Sequence, residues 1–316
     1  MQCKSIIKII KAKLFAKKGK TTMYQTTIKK SVEMVGIGLH KGSPVKLKLE
    51  PLSSNSGIVF YRSDVDIAIP LLPSNVVDTK MATVIGKDGY VISTIEHLLS
   101  AVYAYGIDNL KVIVDADEVP VMDGSSASFC MLLDEAGTQE LDKPKKVLRI
   151  KKDVLVQDGD KYVKLSPSPD LKYDFRIKFP HPVIQNQDYV LEFTKESYKN
   201  EISRARTFGF LHEVQYLRSK GLALGGSLEN AIVLDEKKVL NPEGLRYSDE
   251  FVRHKILDAI GDMSLIGMNF VGNYESLAGS HDLNHKLTLE LLKSPENYEV
   301  LELVGEKTAE LEKAYA

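Results

Sequence analysis

Two cysteines, Cys3 and Cys130, are all that this chain of 316 residues carries. That is too few for a disulfide framework or a cysteine-built zinc site, and it suits a reducing compartment, which here reads as cytoplasmic. Long apolar runs are missing as well: nothing approaches the ~18 uninterrupted apolar residues of a membrane-spanning helix. The N-terminal "MQCKSIIKIIKAKLFAKKGKTT" breaks its apolar runs with lysine and is not a secretory signal. As a helix it would gather Ile6, Ile7, Ile10 and Leu14 on one side, but Lys17 intrudes there, so at most a peripheral membrane contact is expected. Residues 1–22 read as a disordered basic extension. Their seven lysines sit in a chain of net charge −1, leaving −8 on residues 23–316 and arguing against a nucleic-acid-binding surface.

Familiar catalytic signatures are absent too. "GIGLHKG" (36–42) begins like a dinucleotide fingerprint, but Lys41 stands where the third glycine belongs, and a strand pattern follows in place of a helix. No GxxxxGK[ST], GxSxG or HExxH occurs, which removes the P-loop, the nucleophile elbow and the commonest metalloprotease pattern.

What is present is enough apolar residue, 43% of a chain this long, for two cores. Alternation in "VKLKL" (45–49) and "KYDFRIKF" (172–179) predicts half-buried strands. Helical patterns cover 93–106, 127–137, 202–221 and 248–262, with two more near the end at 287–292 and 304–316. Both halves therefore mix strands and helices. The charged, proline-bearing "LDKPKKVLR" (141–149) reads as the linker between domains at 23–147 and 148–316. No strong internal sequence repeat is evident.

The helix "VRHKILDAIGD" (252–262) poses the functional question. At 100° per residue, His254, Lys255, Asp258 and Asp262 fall within a sector of about 100°, opposite Val252, Ile256, Leu257 and Ile260. A solvated face with Lys255 paired to Asp258 would read the same way. A hydrolytic zinc site needs three protein ligands and an open position, drawn here from histidine and carboxylate. His254 and Asp258, one turn apart, can share an ion, and His97 is the candidate third ligand, with Glu96 beside it as general base. Each residue has an ordinary alternative. "STIE" (93–96) fits a capping box of Ser93 with Glu96, and His97 fits an ordinary helix histidine. His281 and His285 in "GSHDLNHK" fit a surface turn. His40, His181 and His212 have no paired carboxylate at metal spacing and read as structural.

Taken together and in order, "GIGLHKG", "STIEHLLSA" (93–101), "GIDNL" (106–110), "MDGSS" (122–126), "SRARTFGF" (203–210), "LGGS" (224–227), "LNPEGLRYSDEFVRHKILDAIGD" (240–262) and "LNHKL" (283–287) resemble the UDP-3-O-acyl-N-acetylglucosamine deacetylases, zinc amidases of lipid A biosynthesis. The resemblance runs from about Met23 almost to the C-terminus. It implies an α+β fold of two similar domains, each a sheet layered with helices, in a β-α-α-β sandwich with the site between them. It implies Zn2+ on His97, His254 and Asp258, with Glu96 as general base. His281 would supply charge stabilisation and a proton to the leaving amine, oriented by Asp262. Thr207 would support the oxyanion, Lys255 and Lys161 would hold the substrate's hydroxyl and diphosphate, and Phe179 and Phe208 would contact nucleotide and sugar. The substrate implied is an acylated UDP-sugar, with an apolar passage for its acyl chain near 207–226; no obligate protein partner is implied. A binding module without chemistry would be expected to have lost Glu96 or a ligand, and all are present.

Two positions depart from the family's pattern. Ser280 stands before His281 where glycine is usual, with Gly279 one place earlier and an uncharged Ala278. Glu229-Asn230 lies where an aspartate is common, a change we read as neutral to the chemistry.

Overall fold

Strand alternation builds two five-stranded sheets with the same internal order. The computed structural model describes residues 22–305. In the first sheet the strands are Val32–Ile37 (β1), Pro44–Pro51 (β2), Ile58–Arg62 (β3), Ile67–Pro70 (β4) and Leu110–Val114 (β5), ordered β1-β2-β5-β3-β4. In the second they are Val154–Asp158 (β6), Lys161–Ser166 (β7), Lys172–Lys178 (β8), Asn186–Glu192 (β9) and Asn273–Leu277 (β10), ordered β6-β7-β10-β8-β9. Only β3–β5 and β8–β10 are parallel; every other neighbouring pair in the two sheets is antiparallel. The strands of "VKLKL" and "KYDFRIKF" bury alternate residues, as the pattern predicts.

The helices repeat as well. Glu96–Ala104 (α1) lies between β4 and β5, and Ala127–Ala136 (α2) follows β5; Glu250–Met263 (α4) lies between β9 and β10, and His281–Lys293 (α5) follows β10. The remaining nine-residue helix, Leu211–Ser219 (α3), belongs to an insertion ahead of α4. A small three-stranded sheet, Val76–Asp78 with Val84–Lys87 and Tyr90–Ile92, forms the matching insertion ahead of α1. The result is the expected two-domain β-α-α-β sandwich. The internal repeat escaped the sequence because it lies in strand order and direction, which many apolar sequences satisfy equally.

All nine residues of α1 are buried, as a helix between two layers requires, and α4 packs directly on it. One contiguous apolar core joins both layers. The outer helix α5 keeps a narrower stripe, Leu283, Leu287 and Leu291, toward its sheet.

Three local expectations change. The helix expected over 202–221 is confined to Leu211–Ser219; Phe208–Phe210 is instead a strand parallel to Ile232–Leu234. β-Branched and aromatic pairing partners won over helical periodicity there. The surface turn at "GSHDLNHK" is the first turn of α5, with the Ser280 hydroxyl accepting from Leu283 N–H as N-cap. The linker stretch 141–149 consists of two strands, Thr138–Pro144 and Lys146–Ile150, meeting at Lys145. Lys145 is itself buried against Asp108. The expected basic extension, apart from Thr22, and nearly all of the expected helix at 304–316 lie outside the described residues. No helix among the described residues is long and apolar enough to cross a membrane.

Candidate active site

α1 and α4 touch backbone to backbone at Gly261, where a Cβ would lie 2.1 Å from the Glu96 carbonyl oxygen. Only glycine permits that approach. The crossing sets His97, second residue of α1, against His254 and Asp258 on α4. His97 Nε2 and His254 Nε2 lie 3.5 and 3.3 Å from the same oxygen, Asp258 Oδ1. One ligand atom from each residue falls within 4.8 Å of the others, and all three side chains are buried.

Hydrogen bonding leaves the inward atoms free. His254 Nδ1 donates to the Ala205 carbonyl at 3.0 Å, so the Nε2 lone pair points into the cluster. Burial drops the His254 pKa to about 3, so the ring is neutral. Burial opposes ionisation of Asp258, but the polar contacts of the two histidine rings and the Lys255 ammonium outweigh it and hold the carboxyl well below its usual range. Lys255 Nζ takes Asp258 Oδ2 at 2.7 Å, while buried Oδ1 has no hydrogen-bond partner. The Lys255–Asp258 pair expected of a solvated face exists, yet the face is not solvated. His254, Asp258 and Asp262 are 1%, 5% and 1% exposed.

Beside the cluster lie two further carboxylates. Glu96 opens α1, and its Oε2 accepts the Thr83 N–H at 3.1 Å. Burial raises its pKa, because an unpaired carboxylate is poorly solvated there. The capping alternative is not realised: Ile95 is the N-cap and Ser93 forms a β-bridge with Glu118. Asp262 accepts from His281 Nδ1 at 2.9 Å and Asn284 Nδ2 at 2.8 Å through Oδ2, and from the Thr83 hydroxyl at 2.6 Å through Oδ1. Burial disfavours the His281 cation, but Asp262 overrides it and lifts the pKa to about 10, so His281 carries its proton at neutral pH.

Aromatic rings border the entrance. Phe208 lies 6.4 Å from the His254 ring and 5.8 Å from Phe179, with Lys255 Nζ 5.6 Å above its face. Thr207 and Phe208 lead into a cavity of about 400 Å³ walled by Leu211, Val214 and Leu217. Leu39, Met81 and Leu228 close it from outside the predicted segment, and His40, assigned no role from spacing, also lines it. Phe210, Leu222 and Leu224 do not line it: Leu222 and Leu224 are exposed, and Phe210 stacks on His212. Lys161 is exposed at the start of β7, next to Tyr162, which pairs with Leu277 at the end of β10 just ahead of the loop to His281. Ser280 in that loop serves as the α5 cap, and Asn230 secures its own loop through Ser227 N–H and the Gly225 carbonyl.

Sequence reasoning missed the groups that hold these side chains. Arg206 and Glu250 are both buried, joined by Nε to Oε1 at 2.9 Å, and they pin the segment carrying Ala205 and Thr207, just ahead of the strand Phe208–Phe210, to the start of α4. Both lie in motifs quoted above, but nothing in their spacing joins them. Asn284 likewise lies in a quoted motif, "LNHKL", with no sign of its role, and Thr83 lies in none.

Comparison with known proteins agrees with the site. Residues 25–293 match the family of UDP-3-O-acyl N-acetylglycosamine deacetylases (LpxC). Proteins named UDP-3-O-acyl-N-acetylglucosamine deacetylase are similar over almost their whole lengths. That of Sulfurimonas denitrificans is 85% identical over 294 residues, 93% of this chain and 100% of that protein. That of Nitratiruptor is 69% identical over 280 residues, covering 89% and 94%, and that of Wolinella succinogenes 63% over 295, covering 93% and 99%. With two like sheets, a His-His-Asp cluster where their helices cross, and matches of this extent, the chain belongs to the UDP-3-O-acyl N-acetylglycosamine deacetylase family.

Proposed function

We propose that this chain hydrolyses the acetamide of a UDP-3-O-(3-hydroxyacyl)-N-acetylglucosamine, releasing acetate in the committed step of lipid A biosynthesis. The observation that carries this reading is the convergence of His97, His254 and Asp258 on one locus with Asp258 Oδ1 unpartnered. Two histidine nitrogens and one carboxylate match a catalytic zinc donor set, and His97, His254 and Asp258 are the residues that would hold the ion. Bound there, the ion would supply Lewis acidity, making water a better nucleophile and the amide carbonyl more electrophilic.

The protein's own groups divide the remaining work. Glu96 takes a proton from the attacking water as its oxygen bonds to the acetyl carbon. Thr207 supports the oxygen on which negative charge develops. As the C–N bond breaks, protonated His281 gives its proton to the departing amine, and Asp262 keeps the ring aimed. Lys255 neutralises charge beside the reacting carbonyl, Lys161 is assigned to the diphosphate, and Phe179 and Phe208 stack against nucleotide and sugar. The enzyme would work in the cytoplasm, where the two cysteines stay reduced, with at most peripheral membrane contact, no nucleic acid and no obligate protein partner. We divide the chain near residue 147 into its two domains, with the acyl passage near 207–226.

The test is deacetylation of the acylated UDP-sugar with metal content measured on the same sample. One zinc per chain is expected, and Asp258→Ala or His97→Ala should lower occupancy and turnover together; full occupancy in the His97 variant would remove it from the ligand set. Because His281 must be protonated, kcat/KM should fall as pH rises through about 10. His281→Gln should abolish that basic limb. A metal-loaded variant with the limb unchanged would exclude His281 as proton donor.

A further inference from the structure

We infer that Thr83 is a positioning residue that holds both arms of the acid–base pair at once, its N–H fixing Glu96 and its hydroxyl fixing the Asp262 that orients His281. The inference rests on the roles proposed above for those three residues. Thr83 is 1% exposed and lies just ahead of Val84–Lys87, in the small sheet inserted before α1. Glu96 and Asp262 belong to different helices in different halves of the molecule, and Thr83 donates to both, at 3.1 and 2.6 Å.

The two bonds act on geometry in different ways. Asp262 Oδ2 serves His281 and Asn284, whereas Oδ1 takes the Thr83 hydroxyl. Without that hydroxyl the carboxylate has a buried, unsatisfied oxygen and is free to turn about its χ2, taking the His281 ring with it. The segment bearing Thr83 is also tied to α5. His285 Nε2 donates to the Pro73 carbonyl at 3.0 Å, and the Thr79 hydroxyl lies 3.4 Å from Asp282 Oδ1. His281 is the first residue of α5, so these ties register the segment against the helix that presents the proton donor. Thr83 thereby sets the distance between the group that receives a proton and the group that gives one.

The experiment uses metal-loaded full-length enzyme and the variants Thr83→Val, Thr83→Ser, Asp262→Asn and the Thr83→Val/Asp262→Asn double. Thr83→Val should lower kcat about 10- to 100-fold, the usual cost of losing a group that orients a catalytic side chain. KM should stay within about threefold and metal content should be unchanged, since Thr83 touches neither substrate subsite nor ligand. Thr83→Ser, which keeps the donor, should recover most of the turnover. The double variant should be no slower than Asp262→Asn alone, because Thr83 acts on His281 only through Asp262. Should the valine not fold, Thr83→Ala gives the same comparison without the second methyl. Turnover within twofold of wild type in the hydroxyl-free variant, or losses that multiply in the double, would overturn the inference. If Asp262→Asn itself turns over normally, the proposed roles of Asp262 and His281 fail; if it is slow while Thr83→Val is fast, only the inference about Thr83 fails.

Discussion

Alanine at position 96 should lower kcat roughly 10²- to 10⁴-fold, the span expected for loss of a positioned general base, with the metal still bound. The expectation follows from what Glu96 does not do. Its carboxylate is outside the His-His-Asp cluster, so removing it takes no ligand away. It caps nothing, because the N-cap of α1 is Ile95, which makes no side-chain cap, and Ser93 is occupied in a β-bridge. Its hydrogen bond to the Thr83 N–H is the structural loss, worth about 1–3 kcal/mol if that donor is left unsatisfied. The large effect must therefore appear in turnover. Glutamine should be nearly as slow, since it keeps the shape but cannot accept the water's proton. Measuring kcat, metal per chain and Tm on one sample decides the matter. A lowered Tm with turnover nearly intact would make Glu96 a structural residue.

Removing the acyl chain from the substrate should cut kcat/KM by at least two orders of magnitude. Each buried methylene is worth ~0.8 kcal/mol, so about ten could supply ~8 kcal/mol before the cost of ordering the chain. Half of that is about a thousandfold in kcat/KM. The apolar cavity beyond Thr207 and Phe208 is where we propose that this burial occurs. The structure sharpens which residues should report on it. Leu217 lines the cavity, so Leu217→Glu should penalise long-chain substrate more than short. Leu222 lies outside the lining and is 39% exposed, so Leu222→Glu should barely discriminate between them. Equal efficiency on acylated and unacylated UDP-N-acetylglucosamine would mean that α3 and its loop merely pack the second half of the molecule.

The side chains aimed at one locus were the readable part of this sequence. His254, Asp258 and Asp262 announce themselves by helical spacing, because a helix converts sequence separation into angle with little freedom. His97 and Glu96 were candidates for that face only because a third ligand had to come from elsewhere in the chain, since nothing local says that α1 crosses α4 at Gly261. Backbone groups and irregular segments stayed hidden. The Ala205 carbonyl that orients His254 has no side-chain signature, and Thr83 sits ahead of a short strand where no period applies. Phe208–Phe210 misled for a related reason. Three apolar residues fit either a strand or the end of a helix, and pairing with Ile232–Leu234, more than twenty residues away, decided between them.

Because His97 comes from one sheet-helix unit and His254 and Asp258 from the other, the proposed ligand set would make ion binding and the docking of the two halves a single equilibrium seen from two sides. An ion that binds only the docked arrangement stabilises it by RT ln(1 + [M]/Kd), about 4 kcal/mol at a thousandfold excess over Kd. The reverse holds with equal force. Anything that pries α1 from α4, even a methyl group at Gly261, must weaken the grip on the ion without touching a ligand. A metal held as proposed would be a rivet through the seam of the molecule as well as a reagent within it.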